Sequence, residues 1–235
     1  MKLSQKRILI TGGSLGIGKA TAKLLVEAGA KVVITGRDEA RLNAAAEETG
    51  AHPVIADVAI PEDVKRTYDE TNRLLGGVDV LINNAGIGGN FGHLHDITLE
   101  DFENVYRVNV FGAAMMAQVA AEIFKQQNHG AIINIGSTAA TRGFERGTVY
   151  SSSKFALRGM TECWRAELRP HNVRVMLINP SEVTTAFAQQ DRNERDEQNN
   201  KLRSQEVAHA IKSALEMDDR GFIPELNIFA TNPWN

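Results

Sequence analysis

The chain has 235 residues, 43% of them hydrophobic and 23% charged, with a net charge of −3. That length suits one α/β domain with a sizeable core, and the composition excludes a wholly disordered chain. A slight acidic excess with no Lys/Arg block excludes the usual footprint of a nucleic-acid binder, and a single cysteine, Cys163, excludes an intrachain disulfide or a CxxC zinc site.

In chain order, the basic start MKLSQKR is followed only by Ile8, Leu9 and Ile10 before Thr11, too short for the apolar core of a secretory signal, about 7 to 15 residues. RILIT (7–11) predicts the first strand. It runs into TGGSLGIGK (11–19) and a helix over 16–28. VVIT (32–35) predicts the second strand, followed by Gly36, Arg37 and a helix over 38–49. PVIA (53–56) predicts the third, ending at Asp57 and Val58. The next helix, 61–75, starts with Pro61, Glu62 and Asp63, which suit a first turn. VDVLIN (78–83) leads into NNAG (83–86) and a helix over 98–124 that contains Asn109. Its apolar part, 110–124, is interrupted by Gln118 and Glu122 and falls short of the ~20 residues a membrane span needs. AIINI (131–135) is followed by Ser137, then by a helix over 151–169 just after Tyr150, then by VRVMLIN (173–179), Pro180 and a last helix over 204–217.

Six strands alternate with six helices. The strand runs are apolar at nearly every position, the mark of strands covered on both faces. This predicts an α/β fold, a doubly wound parallel sheet with helices on both sides, whose ligands gather outside the carboxyl ends of the strands. A soluble, cytoplasmic protein is the expectation.

The glycines at 12, 13, 16 and 18 allow a tight turn and close approach of backbone to a phosphate, with a helix N-terminus behind them. The spacing departs from GxGxxG, since Thr21 stands at the third glycine position, and no P-loop lysine is present. Tyr150 and Lys154, four apart, share a helix face. An ammonium beside a phenol would lower its pKa by ~2 to 3 units and make a proton donor usable at neutral pH. Taken alone, the pair also reads as an ordinary buried tyrosine and a solvated lysine.

Together, TGGSLGIG, NNAG, Asn109, Ser137, Tyr150 and Lys154 resemble the classical short-chain dehydrogenase/reductase family, from Arg7 to Phe229. The resemblance implies a single Rossmann-like domain over 1–235, with a cofactor-binding half of about 1–135 and a catalytic and substrate-loop half of about 136–235. It implies hydride transfer between a nicotinamide cofactor and a carbonyl or alcohol. Ser137 would bind the reacting oxygen, and Tyr150 would exchange its proton. Lys154 would hold the ribose and tune Tyr150, and Asn109 would hold a water leading to Lys154. Cofactor contacts are expected from Gly12, Ser14, Leu15, Gly16, Ile17 and Gly18, from Asp57 and Val58, from Asn84, Ala85 and Gly86 beside Asn83, from Tyr150 and Lys154, and from Pro180, Val183 and Thr185.

Where relatives that prefer NAD carry an acidic residue, this chain has Gly36 and then Arg37. An arginine attracts a 2′-phosphate, so NADP(H) is expected, with NAD(H) as the alternative. The family's Pro-Gly after the sixth strand reads Pro180-Ser181 here. Glu182 stands near the substrate side, where a carboxylate could favour an amine, although plain solvent exposure serves as well. The polar run 189–200 falls where the resemblance implies a mobile loop or helical lid over the substrate, and it reads equally as plain solvated surface. His93 and His95 lack further ligands for a metal, and Cys163 reads as a packed thiol.

The resulting expectation is an NADPH-dependent carbonyl reductase for a small molecule such as a 3-oxoacyl thioester, a diketone or a pterin. The chain would form a homodimer or homotetramer through the helices 98–124 and 151–169, with no nucleic-acid or membrane partner. An NAD-linked alcohol dehydrogenase and a non-catalytic cofactor sensor are the alternatives.

Overall fold

A computed structural model of the chain describes residues 1–187 and 195–234. Seven strands, β1 (Arg7–Ile10), β2 (Lys31–Gly36), β3 (His52–Ile55), β4 (Val80–Asn83), β5 (Gly130–Ile135), β6 (Val173–Pro180) and β7 (Glu225–Ile228), form one sheet. Their order is β3-β2-β1-β4-β5-β6-β7, and every adjacent pair is parallel. The register places Ile8 between Val32 and Val80.

Helices α1 (Gly16–Glu27), α2 (Glu39–Thr49) and α7 (Ser204–Glu216) cover one face, and α3 (Pro61–Leu75), α5 (Ala113–Gln127) and α6 (Thr148–Leu168) the other. Alternate residues of each strand enter opposite cores: Ile8 and Ile10 pack with Leu25, Leu42 and Ile211, whereas Leu9 packs with Tyr68, Met116 and Phe124. Every residue of β4, β5 and β6 is buried, which is why their sequences are apolar almost throughout. No helix among the described residues is long and apolar enough to cross a membrane.

Two elements differ from the sequence expectation. The predicted helix over 98–124 is divided into α4 (Leu99–Tyr106), a π-helical turn over Arg107–Gly112, and α5. The wider turn holds Asn109 inside the protein at 1% exposure, and its side chain bonds across to another segment. The second difference is β7, for which the sequence reading has no strand. It is an edge strand of four residues, and its ELNI sequence alternates polar and apolar side chains. Its pairing with β6 runs from Leu177 opposite Glu225 to Pro180 opposite Ile228.

Candidate active site

The strands end on one side of the sheet, and the segments that leave β1 and β4 diverge there because the winding reverses between these neighbours. A cleft of about 1350 Å³ opens at this point. It is lined by Gly12, Ser14, Leu15, Gly16, Ile17, Arg37, Asp57, Val58, Asn84, Ala85, Gly86, Ser137, Tyr150, Lys154, Pro180, Val183 and Thr185. Residues scattered from Gly12 to Thr185 therefore share one surface. Of the expected cofactor contacts and catalytic residues, Gly18 and Asn109 are not part of that lining.

The residues present fit an elongated anionic dinucleotide. Gly12 has a φ of +66°, and a Cβ there would stand 2.9 Å from the Cα of Ala85, so only glycine lets the first turn pass this close to the segment after β4. A Cβ on Gly18 would collide with the Gly12 carbonyl oxygen. The helix behind the turn, α1, follows the N-cap residue Leu15, whose side chain caps nothing, and its first turn opens on the cleft with its positive dipole end. Thr11 Oγ1 accepts from the backbone amides of Asn84 and Ala85 at 3.1 and 3.0 Å. Asn84 in turn donates its side-chain amide to the carbonyls of Thr11 and Gly12 at 2.9 and 2.8 Å. The Asn84 amide is thus used to lock the two cleft walls together.

At the β2 end, Arg37 is 58% exposed and lies 3.4 Å from Asp57, and Arg41 lies 3.4 Å from Asp38. Asp38 caps α2 through the Arg41 amide at 2.9 Å. Both arginines line the cleft, and the sequence reading missed Arg41. Its signal was available, since a residue three after an N-cap aspartate lies on the same side of the helix start.

At the other end, α6 begins at Thr148 after the N-cap Gly147, which puts Tyr150 in its first turn and Lys154 one turn further. Ser137 lies beside the Tyr150 hydroxyl, close enough to stabilise its phenolate. Lys154 Nζ donates to the carbonyl of Ile135 at 2.9 Å and lies 5.7 Å from the centre of the Tyr150 ring. Burial pushes the Tyr150 phenol up to about 12, against a smaller downward pull from Ser137. Burial also lowers Lys154 to about 8. The expected depression of the phenol is therefore reversed in the folded chain, because desolvation of the phenolate outweighs an ammonium that is aimed at a carbonyl.

Asn109 makes a two-way link with Ile87, accepting from its amide and donating to its carbonyl, both at 2.9 Å, and also donates to Ser153 Oγ at 3.1 Å. Ser137 has a partner absent from the sequence reading. Its backbone amide donates to Asn179 Oδ1 at 3.2 Å, while Asn179 Nδ2 donates to Glu225 at 2.8 Å and to Asn227 at 3.1 Å. A carboxylate only accepts, so Glu225 decides which way the Asn179 amide faces. Arg158, one turn beyond Lys154 on α6, donates to Glu225 at 3.1 Å.

Ser181 replaces the expected glycine without a left-handed backbone, and its amide donates to Ile228 at 2.8 Å. Glu182 is paired with Arg195, at 3.5 Å, and with Lys201. The 189–194 part of the polar run lies outside the described residues, and Cys163 is exposed.

The short chain dehydrogenase family matches residues 6–196. An oxidoreductase of Bacillus subtilis (strain 168), YxnA, is 36% identical over 232 residues, which make up 93% of this chain and 65% of that protein. The L-xylulose reductase of Caenorhabditis elegans is 36% identical over 85% of this chain and 80% of its own. Among solved structures, a 3-ketoacyl-(acyl-carrier-protein) reductase from Brucella melitensis complexed with NADH has a TM-score of 0.88 and 28% identity, covering 98% of this chain and 99% of that one. A short chain dehydrogenase from Burkholderia cenocepacia J2315 in complex with NADP has a TM-score of 0.85 and 31% identity, covering 98% of both chains. With the parallel sheet, the glycine turn and the Ser137, Tyr150, Lys154 cluster in one cleft, these matches establish that the chain belongs to the short-chain dehydrogenase/reductase family of NAD(P)-binding oxidoreductases.

Proposed function

We propose that the protein is an NADPH-dependent carbonyl reductase that works as one domain, with the dinucleotide on the half of about 1–135 and proton chemistry on the half of about 136–235. The observation that carries the reading is the single cleft with two arginines at one end and Ser137 and Tyr150 beside Lys154 at the other. Arg37 and Arg41 suit a 2′-phosphate, the start of α1 suits the pyrophosphate, and Val183 and Thr185 suit the nicotinamide end. The chemistry such a cofactor supplies when bound is hydride donation to the carbonyl carbon.

The chain's own part is electrostatic and acid–base. Ser137 Oγ donates to the carbonyl oxygen and stabilises the charge that develops on it. Tyr150, kept protonated by burial, gives its proton to that oxygen. Lys154, with a pKa of about 8, is mostly charged at neutral pH and serves to hold ribose hydroxyls and offset the phenolate left behind. Asn109 is a positioning residue, fastening Ile87 at the cleft wall to the helix that carries Lys154. Exposed Phe111 and Phe155, on the π-helical turn and on α6, support association into a homo-oligomer. The one, exposed cysteine suits the cytoplasm.

The test is a panel of ketones, diketones, 3-oxoacyl thioesters and pterins, followed by absorbance of NADPH and NADH at matched concentrations. NADPH-dependent consumption with at least one class is expected. Consumption that is equal with NADH rejects the cofactor assignment, and no consumption with any class rejects the reductase reading.

A further inference from the structure

The walls around Tyr150 carry information about what the cleft accepts. Its ring is flanked by Phe91 and Phe187, with ring centres 5.9 and 5.6 Å away, and Phe144 extends the wall 6.2 Å beyond Phe91. Three phenylalanine rings around the proton donor suit a flat, apolar group next to the reacting carbon.

The charges at this end have been mostly spent. Arg146 is committed to His93, with its guanidinium nitrogens 2.9 and 3.3 Å from Nε2, which ties together the loops that carry Phe91 and Phe144. Glu182 is neutralised by Arg195 and Lys201, and Arg195 also donates to the carbonyls of Val183 and Thr185 at 3.0 Å, so this carboxylate is poorly placed to select an amine. Arg142 differs. It lines the cleft, and its guanidinium has no acceptor among the described residues. Its backbone is nevertheless fixed with respect to the proton donor. Ser151, the residue after Tyr150, donates its hydroxyl to the carbonyls of Ala139 at 2.8 Å and Arg142 at 3.4 Å.

We infer that the carbonyl substrate has an aryl or similarly flat apolar body beside the carbonyl and a carboxylate at its far end, and that Arg142 is the residue that selects the carboxylate. The inference rests on the reductase reading. A guanidinium presents two parallel N–H donors that match a carboxylate, and such a charge-assisted pair is worth about a 10- to 100-fold preference.

The experiment uses the full chain with NADPH and a series of aryl keto acids, from benzoylformate through 3-benzoylpropionate to 5-benzoylvalerate, each beside its methyl ester. Wild type is expected to show kcat/KM for the acid about 10- to 100-fold above the ester at one chain length, with the difference in KM. Arg142→Gln should bring that ratio close to one, and Arg142→Glu should turn it in favour of the ester. Thermal melting of each variant shows that it folds. Calorimetric binding of 4-phenylbutyrate and its amide, neither of which has a ketone to reduce, separates the two levels of the argument. Turnover without preference for the acid overturns the carboxylate inference and leaves the reductase reading standing. Preferential binding of 4-phenylbutyrate, lost in Arg142→Gln, with no turnover of any ketone retains the anion site and overturns the reductase reading. An acid-to-ester ratio unchanged in Arg142→Gln overturns the role of Arg142.

Discussion

Removing the Lys154 charge should stabilise the folded protein at neutral pH while it abolishes turnover. Burial lowers this lysine from 10.5 to about 8, and carrying the charge inside at pH 7 therefore costs about 3 kcal/mol. Lys154→Met removes that cost and loses one hydrogen bond to the Ile135 carbonyl, worth about 1 kcal/mol. The net gain is about 2 kcal/mol, or about 4 to 8 °C in Tm for a chain of this size. The pH dependence follows from the sign of the shift. Between about pH 8 and 10.5 the unfolded lysine holds a proton that the folded one has released, so the stability of the wild type rises with pH across that window, and the cost is fully present below it. Urea unfolding of both proteins at pH 7 and pH 10 reads the effect directly, because other titrating groups cancel in the difference. The advantage of the variant at pH 7 should vanish or reverse by pH 10. A variant that is less stable at pH 7, or a gap that does not change with pH, would refute the reasoning.

The other predictions are more local. Arg37→Asp sets a second carboxylate beside that of Asp57 and should weaken NADPH by ~2 kcal/mol, about 30-fold, with NADH less affected, as read by fluorescence titration. Ser181→Gly should change the cofactor Kd by less than about threefold, since the serine already has an ordinary φ, and a gain of tenfold or more would show that the serine strains the turn. Glu225→Gln removes the constraint on the Asn179 amide and should lower kcat several-fold with KM nearly constant, and melting should show the fold retained. A purely structural role for Glu225 would lower Tm and leave kcat alone.

The extent to which the sequence disclosed all this depends on how local each signal is. Strands such as VLIN and AIINI are legible because a strand covered on both faces must be apolar at consecutive positions. The edge strand β7 has no such requirement. Glu225 and Asn227 are polar there because they serve Asn179, 46 and 48 residues away, a reason that cannot be seen from the segment itself. The π-helical turn escapes for a related cause, since the apolar periodicity continues through 107–112 and the added width shows only in where Asn109 bonds. Ser137, Tyr150 and Lys154 stand out by spacing and by their place after a strand. The direction of the Tyr150 shift does not, because spacing reports the neighbouring ammonium, whereas burial, which dominates, is a property of the assembled cleft. Arg142 is one arginine of a loop until the partners of Arg146 and Glu182 are known.

The central claim is that this cleft passes hydride from a nicotinamide to a carbonyl carbon while Tyr150 gives the proton. The most direct measurement is single-turnover reduction with NADPH carrying deuterium at both C4 positions of the nicotinamide, with the product alcohol read by mass spectrometry for wild type and Tyr150→Phe. The account predicts deuterium on the carbinol carbon for the wild type, and a rate ~10² to 10⁴ lower in the variant with NADPH binding retained. Alcohol formed without the label, or formed by Tyr150→Phe at nearly the wild-type rate, would contradict it.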